Sequence, residues 1–102
     1  MSAYFILTQT ITDLEQFRRD YIPKVFPILQ KHGGEVLVAD FAAEPLEGDP
    51  AKGAVVIRFP SAQAVHDFEN DPDYQPAKKI RQALTTNANA VLSPAFVYPD
   101  SQ

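Results

Sequence analysis

The stretch from Ala54 to Tyr74 constrains the fold more than any other part of the chain. Val55, Val56, Ile57 and Phe59 are β-branched or aromatic and suit a pleated, largely buried strand. Along such a strand Val55, Ile57 and Phe59 share one face, while Ala54, Val56 and Arg58 share the other. Both faces are mainly apolar, and one carries a single cation. Pro60 has no N–H with which to continue a ladder. Ser61 offers its hydroxyl to the first free N–H groups of a helix, and Ala64, Val65 and Phe68 follow at helical spacing. Asp71-Pro72 reads as a break and a restart, with Asp71 as cap and Pro72 in the first turn. The second helical run reaches Leu84 and turns Tyr74, Ala77, Ile80, Ala83 and Leu84 inward. Asp67, Glu69, Asp71 and Asp73 cluster around the restart and Lys78, Lys79 and Arg81 come later, a polarity that suits the second helix's dipole.

The first half of the chain is a looser copy of this plan. Tyr4 to Ile11 is a strand with Phe5, Leu7 and Gln9 on one face and Tyr4, Ile6 and Thr8 on the other. Thr12 to Glu15 has the pattern of a capping box, with Thr12 as cap. Leu14, Phe17, Tyr21, Val25, Ile28 and Leu29 then recur at steps of three and four and form one apolar stripe. Pro23 and Pro27 interrupt that helix, so a kink or break is expected between Tyr21 and Pro27. Gly33 ends it as a left-handed cap, with His32 in the last turn. Glu35 to Asp40 is a second strand, and Phe41 to Lys52 is a loop rich in proline, glycine and acid. After the paired helices, Thr85 to Ala88 is a short polar connection. Ala90 to Val97 is a fourth strand, where Pro94 suggests an edge or a bulge.

The order strand, helix, strand, strand, helix, strand is the split βαβ arrangement of the α+β, ferredoxin-like fold. It predicts a four-stranded antiparallel sheet with helices on one face. A single domain over residues 1–98 and a tail at 99–102 are expected. The uncovered face is too apolar to lie in water, and a second copy of the chain, placed sheet to sheet, is the simplest cover.

Composition excludes several classes of function. The chain has 102 residues and no cysteine, which removes disulfides, thiolate nucleophiles and thiolate metal sites. Neither histidine belongs to a His-x-x-x-His or Glu-x-x-His pattern, so no metal or other cofactor is expected. The net charge is −4, and the one basic cluster (Lys78, Lys79, Arg81) follows four acidic residues, which argues against nucleic acid as a partner. The N-terminal apolar run has no basic region before it and is too short to span a membrane or serve as a signal peptide. A cytoplasmic protein with no membrane partner is the expectation.

The pattern Phe59-Pro60-Ser61, Ala64, Phe68, Pro72, Tyr74-Gln75 and Arg81 resembles the signature of the family called domain of unknown function 1330. His32-Gly33-Gly34 is similar to its aromatic-Gly-Gly turn, Leu46-Glu47-Gly48 to its Leu-Glu-Gly loop, and Tyr21 stands where the family usually has tyrosine. The resemblance covers nearly the whole chain. It implies a dimeric α/β barrel in which two ferredoxin-like subunits face each other through their sheets. Relatives in that superfamily include cofactor-free monooxygenases, muconolactone isomerases, haem-binding enzymes and stress-responsive proteins, so fold alone names no reaction. The chain departs from the family at Arg58, where an acid is common, and at Glu35 and Ala39 in the second strand, where arginines are common. A reversed charge pair, Arg58 with Glu35 or Asp40, is the implied outcome.

Six residues are candidates for a binding site. Arg58 can hold a carboxylate ligand bidentately, or balance Glu35 or Asp40 at an interface. His32 can serve as a base near neutral pH, or simply complement a helix end. Tyr4, Tyr21 and Tyr74 combine a ring with a hydroxyl and can line a pocket or pack in the core. Glu47 can be a ligand group or a loop acceptor. No serine, histidine and carboxylate assemble into a catalytic constellation, so the catalytic residues stay unassigned. Two functions follow. One is a homodimeric small-molecule binding or assembly module. The other is a cofactor-free isomerase or monooxygenase-like enzyme acting on a small acidic or aromatic metabolite.

Overall fold

The structure is a computed structural model that describes residues 1–99; positions 100–102 of the expected tail lie outside the described residues. The chain runs β1 (Ala3–Ile11), α1 (Leu14–Asp20), α2 (Ile22–Lys31), β2 (Glu35–Asp40), β3 (Gly53–Phe59), α3 (Ala62–Glu69), α4 (Tyr74–Ala83) and β4 (Thr85–Pro94). The strands form one antiparallel sheet in the order β2-β3-β1-β4. This is the expected ferredoxin-like α+β arrangement, with each helical position filled by two short helices.

Proline and tyrosine chemistry explains the divided first helix. Tyr21 ends α1 and begins α2, and Pro23 lies in the first turn of α2, where a missing N–H costs nothing. Pro27 is carried inside α2. Gly33 has φ near 75°, the left-handed geometry that closes the helix. Ser61 caps α3 as expected, its Oγ accepting from the Ala64 N–H at 3.1 Å.

Several boundaries differ from the sequence reading. Asp13, not Thr12, caps α1: the Asp13 carboxylate accepts from the Gln16 N–H, while the Thr12 hydroxyl donates to the Leu84 carbonyl and ties this corner to the end of α4. Helix α4 starts at Tyr74, and Asp71 instead holds the preceding turn by accepting from the Asp73 N–H. Ala83 is exposed, and Arg81 takes a buried place on the inner side of α4. Thr85 to Ala88 belongs to β4 rather than to a connection, and the strand ends at Pro94, short of Val97. The ladder with β1 carries the polar residues into the sheet, at the cost of a bulge near Asn87, whose φ is 52°.

The two faces of the sheet have different characters. On the helical side Phe5, Leu7, Gln9, Ile57 and Phe59 are buried. Phe68 of α3 packs there edge-on to Phe5 and stacks obliquely on Phe59 and Tyr74, the last at 4.3 Å between centroids. On the other side, one rung places Val38, Val56, Ile6 and Val91 in register across all four strands. The neighbouring rung is polar: Glu35, Arg58, Tyr4 and Ser93. A bulge between Val36 and Val38 gives β2 one extra residue, so Val36 faces the helices and Val38 the open side.

Candidate functional site

A pocket lies between the helices and the sheet. Its walls are apolar. Leu7, Val55 and Ile57 come from the strands, Val25 and Leu29 from α2, and Phe68 from α3. Phe26, Val36, Ala39 and Phe41 also line it and retain exposure, so the pocket opens between α2 and the outer strand β2. Such a largely apolar concavity with a few convergent polar groups is the usual form of a small-molecule site.

Those polar groups are Tyr21, Tyr74 and Gln9. The two tyrosine hydroxyls, contributed by the α1–α2 junction and by α4, lie 3.3 Å apart and are buried. Burial pushes the Tyr21 hydroxyl far above its ordinary pKa; its contact with Tyr74 adds to the rise, and nearby Arg81 opposes part of it. Tyr21 is therefore a neutral hydrogen-bonding group at any physiological pH. Gln9 is 1% exposed. Its Oε1 accepts from Nη1 of Arg81 at 3.0 Å. Gly53 of β3 lies against the backbone of Gln9: a Cβ there would stand 2.7 Å from the Gln9 backbone carbonyl oxygen. The bulge in β4 falls opposite Gln9, a common position for a strand irregularity beside a site.

The six sequence candidates separate into groups. Tyr21 and Tyr74 meet in the pocket. Arg58 and Tyr4 lie opposite each other on the open face, with Arg58 ion-paired to Glu35 as the reversed pair implies. His32 does more than complement a helix end: it caps α2, and its Nε2 lies 2.7 Å from Oδ2 of Asp71. Lys31 approaches the same oxygen at 2.9 Å. Lys31, then His32 and the Asp73 amide, hold the Asp71 carboxyl well below the usual carboxylate range. This cluster fastens the end of α2 to the turn between α3 and α4. Glu47 is exposed beside Gly48 in the long loop and joins neither group. Among the described residues no set of histidine and carboxylate side chains is arranged to hold a metal ion.

Gln9 and Arg81 escaped the sequence reading as site residues, although both left a trace. Gln9 is the polar member of the face Phe5, Leu7, Gln9. Arg81 falls four residues after Ala77 and three before Leu84, within the apolar stripe of α4.

The fold and pocket together define a ferredoxin-like α+β protein with an apolar cleft under its helices. The chain belongs to the family described as Domain of unknown function (DUF1330), whose model matches residues 2–95. Among curated proteins no sequence match is found. Similar solved structures include a protein of unknown function from Rhodopseudomonas palustris, at 16% identity and a TM-score of 0.78, covering 95% of this chain and 84% of that one. SnoaB, a cofactor-independent oxygenase from Streptomyces nogalater, is similar at 14% identity and a TM-score of 0.68, over 98% of each chain. A dimeric ferredoxin-like protein of unknown function from Thermobifida fusca is similar at 17% identity and a TM-score of 0.55, over 93% of this chain and 92% of that one. At these identities the likeness is one of fold. No helix among the described residues is long and apolar enough to cross a membrane.

Proposed function

We propose that the protein is a cytoplasmic, homodimeric binding protein that takes a small, largely apolar molecule into the pocket between its helices and its sheet. The pocket itself carries this reading: an apolar cleft with a buried tyrosine pair and a glutamine along its lining. Binding is favoured over turnover because the described lining residues include no group that ionises near neutral pH, and Tyr21 is held protonated. General acid–base work would need such a group within reach of the substrate. The dimer is supported by the apolar rung Val38–Val56–Ile6–Val91, which an isolated subunit leaves facing water. The Thermobifida fusca protein named above, described as dimeric, supports it too.

Titration with toluene, followed by methyl resonances, tests the pocket. Leu7, Val25, Leu29, Val55 and Ile57 should shift together and saturably. Shifts confined to surface methyls, or none, would remove this reading.

A further inference from the structure

Arg81 is 4% exposed, and its Nε is buried without a hydrogen-bond partner. No carboxylate lies within 4.0 Å of its guanidinium among the described residues. A buried cation without a counter-charge is costly, and structures normally pair it. Among the described residues the guanidinium is held by the side-chain oxygen of Gln9 alone. Arginine only donates hydrogen bonds, so the Gln9 oxygen must face it and the Gln9 amide NH₂ must face elsewhere. Gln9 lines the pocket, and no hydrogen bond reaches that NH₂ among the described residues. Of the two hydroxyl hydrogens at Tyr21 and Tyr74, one is used between them and the other remains. The lining of an otherwise apolar pocket thus offers N–H and O–H donors, and a guanidinium with no carboxylate within 4.0 Å among the described residues stands behind Gln9.

We infer that Gln9, with Arg81 behind it, forms the head of a ligand subsite that receives an oxygen acceptor, a carboxylate or a carbonyl, on an apolar and preferably aromatic body. The inference rests on the pocket reading above and adds the chemical class of the ligand. Gln9 is the contacting residue. Arg81 acts through it, fixing its amide orientation and supplying the field. A carboxylate would meet the whole charge of the guanidinium, and a neutral carbonyl only its dipolar share. The aryl body would lie among Leu7, Val25, Ile57 and Phe68.

The test uses three probes of one shape: benzoate, acetophenone and toluene, titrated against the wild-type dimer and against Gln9→Glu, with methyl shifts locating the site. Gln9→Glu supplies a counter-ion for Arg81 and removes the N–H donor, so the fold should be kept. The wild type should bind benzoate or acetophenone at least tenfold more tightly than toluene. Gln9→Glu should lose that preference, with benzoate and acetophenone binding it no more tightly than toluene does. A larger gain for benzoate than for acetophenone identifies the charge as the recognised feature; equal gains identify the oxygen. If toluene binds the pocket as well as both acceptors do, the head-group assignment is overturned while the pocket reading stands. Preference retained in Gln9→Glu overturns it as well. If none of the three probes shifts the pocket methyls, both readings fall together.

Discussion

Arg58 of β3 stands directly across from Glu35 of β2, and the two are ion-paired on the face of the sheet that no helix covers. In a lone subunit this is an exposed pair of small energetic worth. Beneath a second sheet it would be a desolvated pair. Arg58→Met should then preserve the dimer but weaken it by stranding Glu35, and Arg58→Met with Glu35→Met should recover the loss. Sedimentation equilibrium of the single and double variants measures this. Additive effects would place the pair outside the interface.

The apolar rung makes a blunter prediction. Val56→Lys puts a charge at its centre and should shift the protein from twice the chain mass to the chain mass at micromolar concentration, with helical content unchanged. A wild type that sediments as a monomer would refute the sheet-to-sheet dimer outright.

Ser61→Ala removes the one side-chain acceptor at the start of α3 and should cost about 1 kcal/mol in urea denaturation. An unshifted midpoint would mean that α3 is fixed by packing of Val65 and Phe68 instead.

Tyr21→Phe leaves the Tyr74 hydroxyl without its buried partner and should cost about 1 kcal/mol. Adding Tyr74→Phe should cost less than it does alone, since the second hydroxyl then has nothing left to lose. A double-mutant cycle with zero coupling would show that the two hydroxyls do not interact in solution.

Acid should act through Asp71. Its carboxyl is depressed in the folded chain by Lys31, His32 and the Asp73 amide. The stabilisation is therefore present above the ordinary aspartate pKa, near 4, and is lost as pH falls below it toward the folded value. Wild type should melt above Asp71→Asn at pH 6, and the gap should narrow steadily below about pH 4. A gap that does not change with pH would assign the effect of the substitution to packing.

The fold was legible because local signals agreed with one another. Strand alternation at Ala54 to Phe59, the Pro60-Ser61 turn and the left-handed Gly33 each named one structure, and each was found. The pairing of Arg58 with an acid of β2 was legible too, from a lone cation among valines. What failed depended on distant partners. Thr12 looks like a cap until Leu84, seventy-two residues away, offers its carbonyl to the hydroxyl. His32 and Asp71 are thirty-nine residues apart and meet only because α2 packs near the α3–α4 turn. Tyr21 and Tyr74 meet in the pocket lining, and Gln9 and Arg81 escaped notice for a different reason. Arg81 reads in the sequence, beside Lys78 and Lys79, as a complement to the helix dipole, and Gln9 carries no chemistry of its own until a buried guanidinium turns it.

Both outer strands of the sheet are irregular. In β2 Leu37 is the surplus residue of a bulge, and β4 has its own bulge near Asn87 and ends at Pro94. A flat, unbroken border is what allows one sheet to extend into the next, strand upon strand, without limit. Here neither border offers an even row of donors and acceptors, because each bulge twists its strand and Pro94 withholds an N–H at the end of β4. Open-ended growth by strand addition is therefore disfavoured at both edges of the sheet.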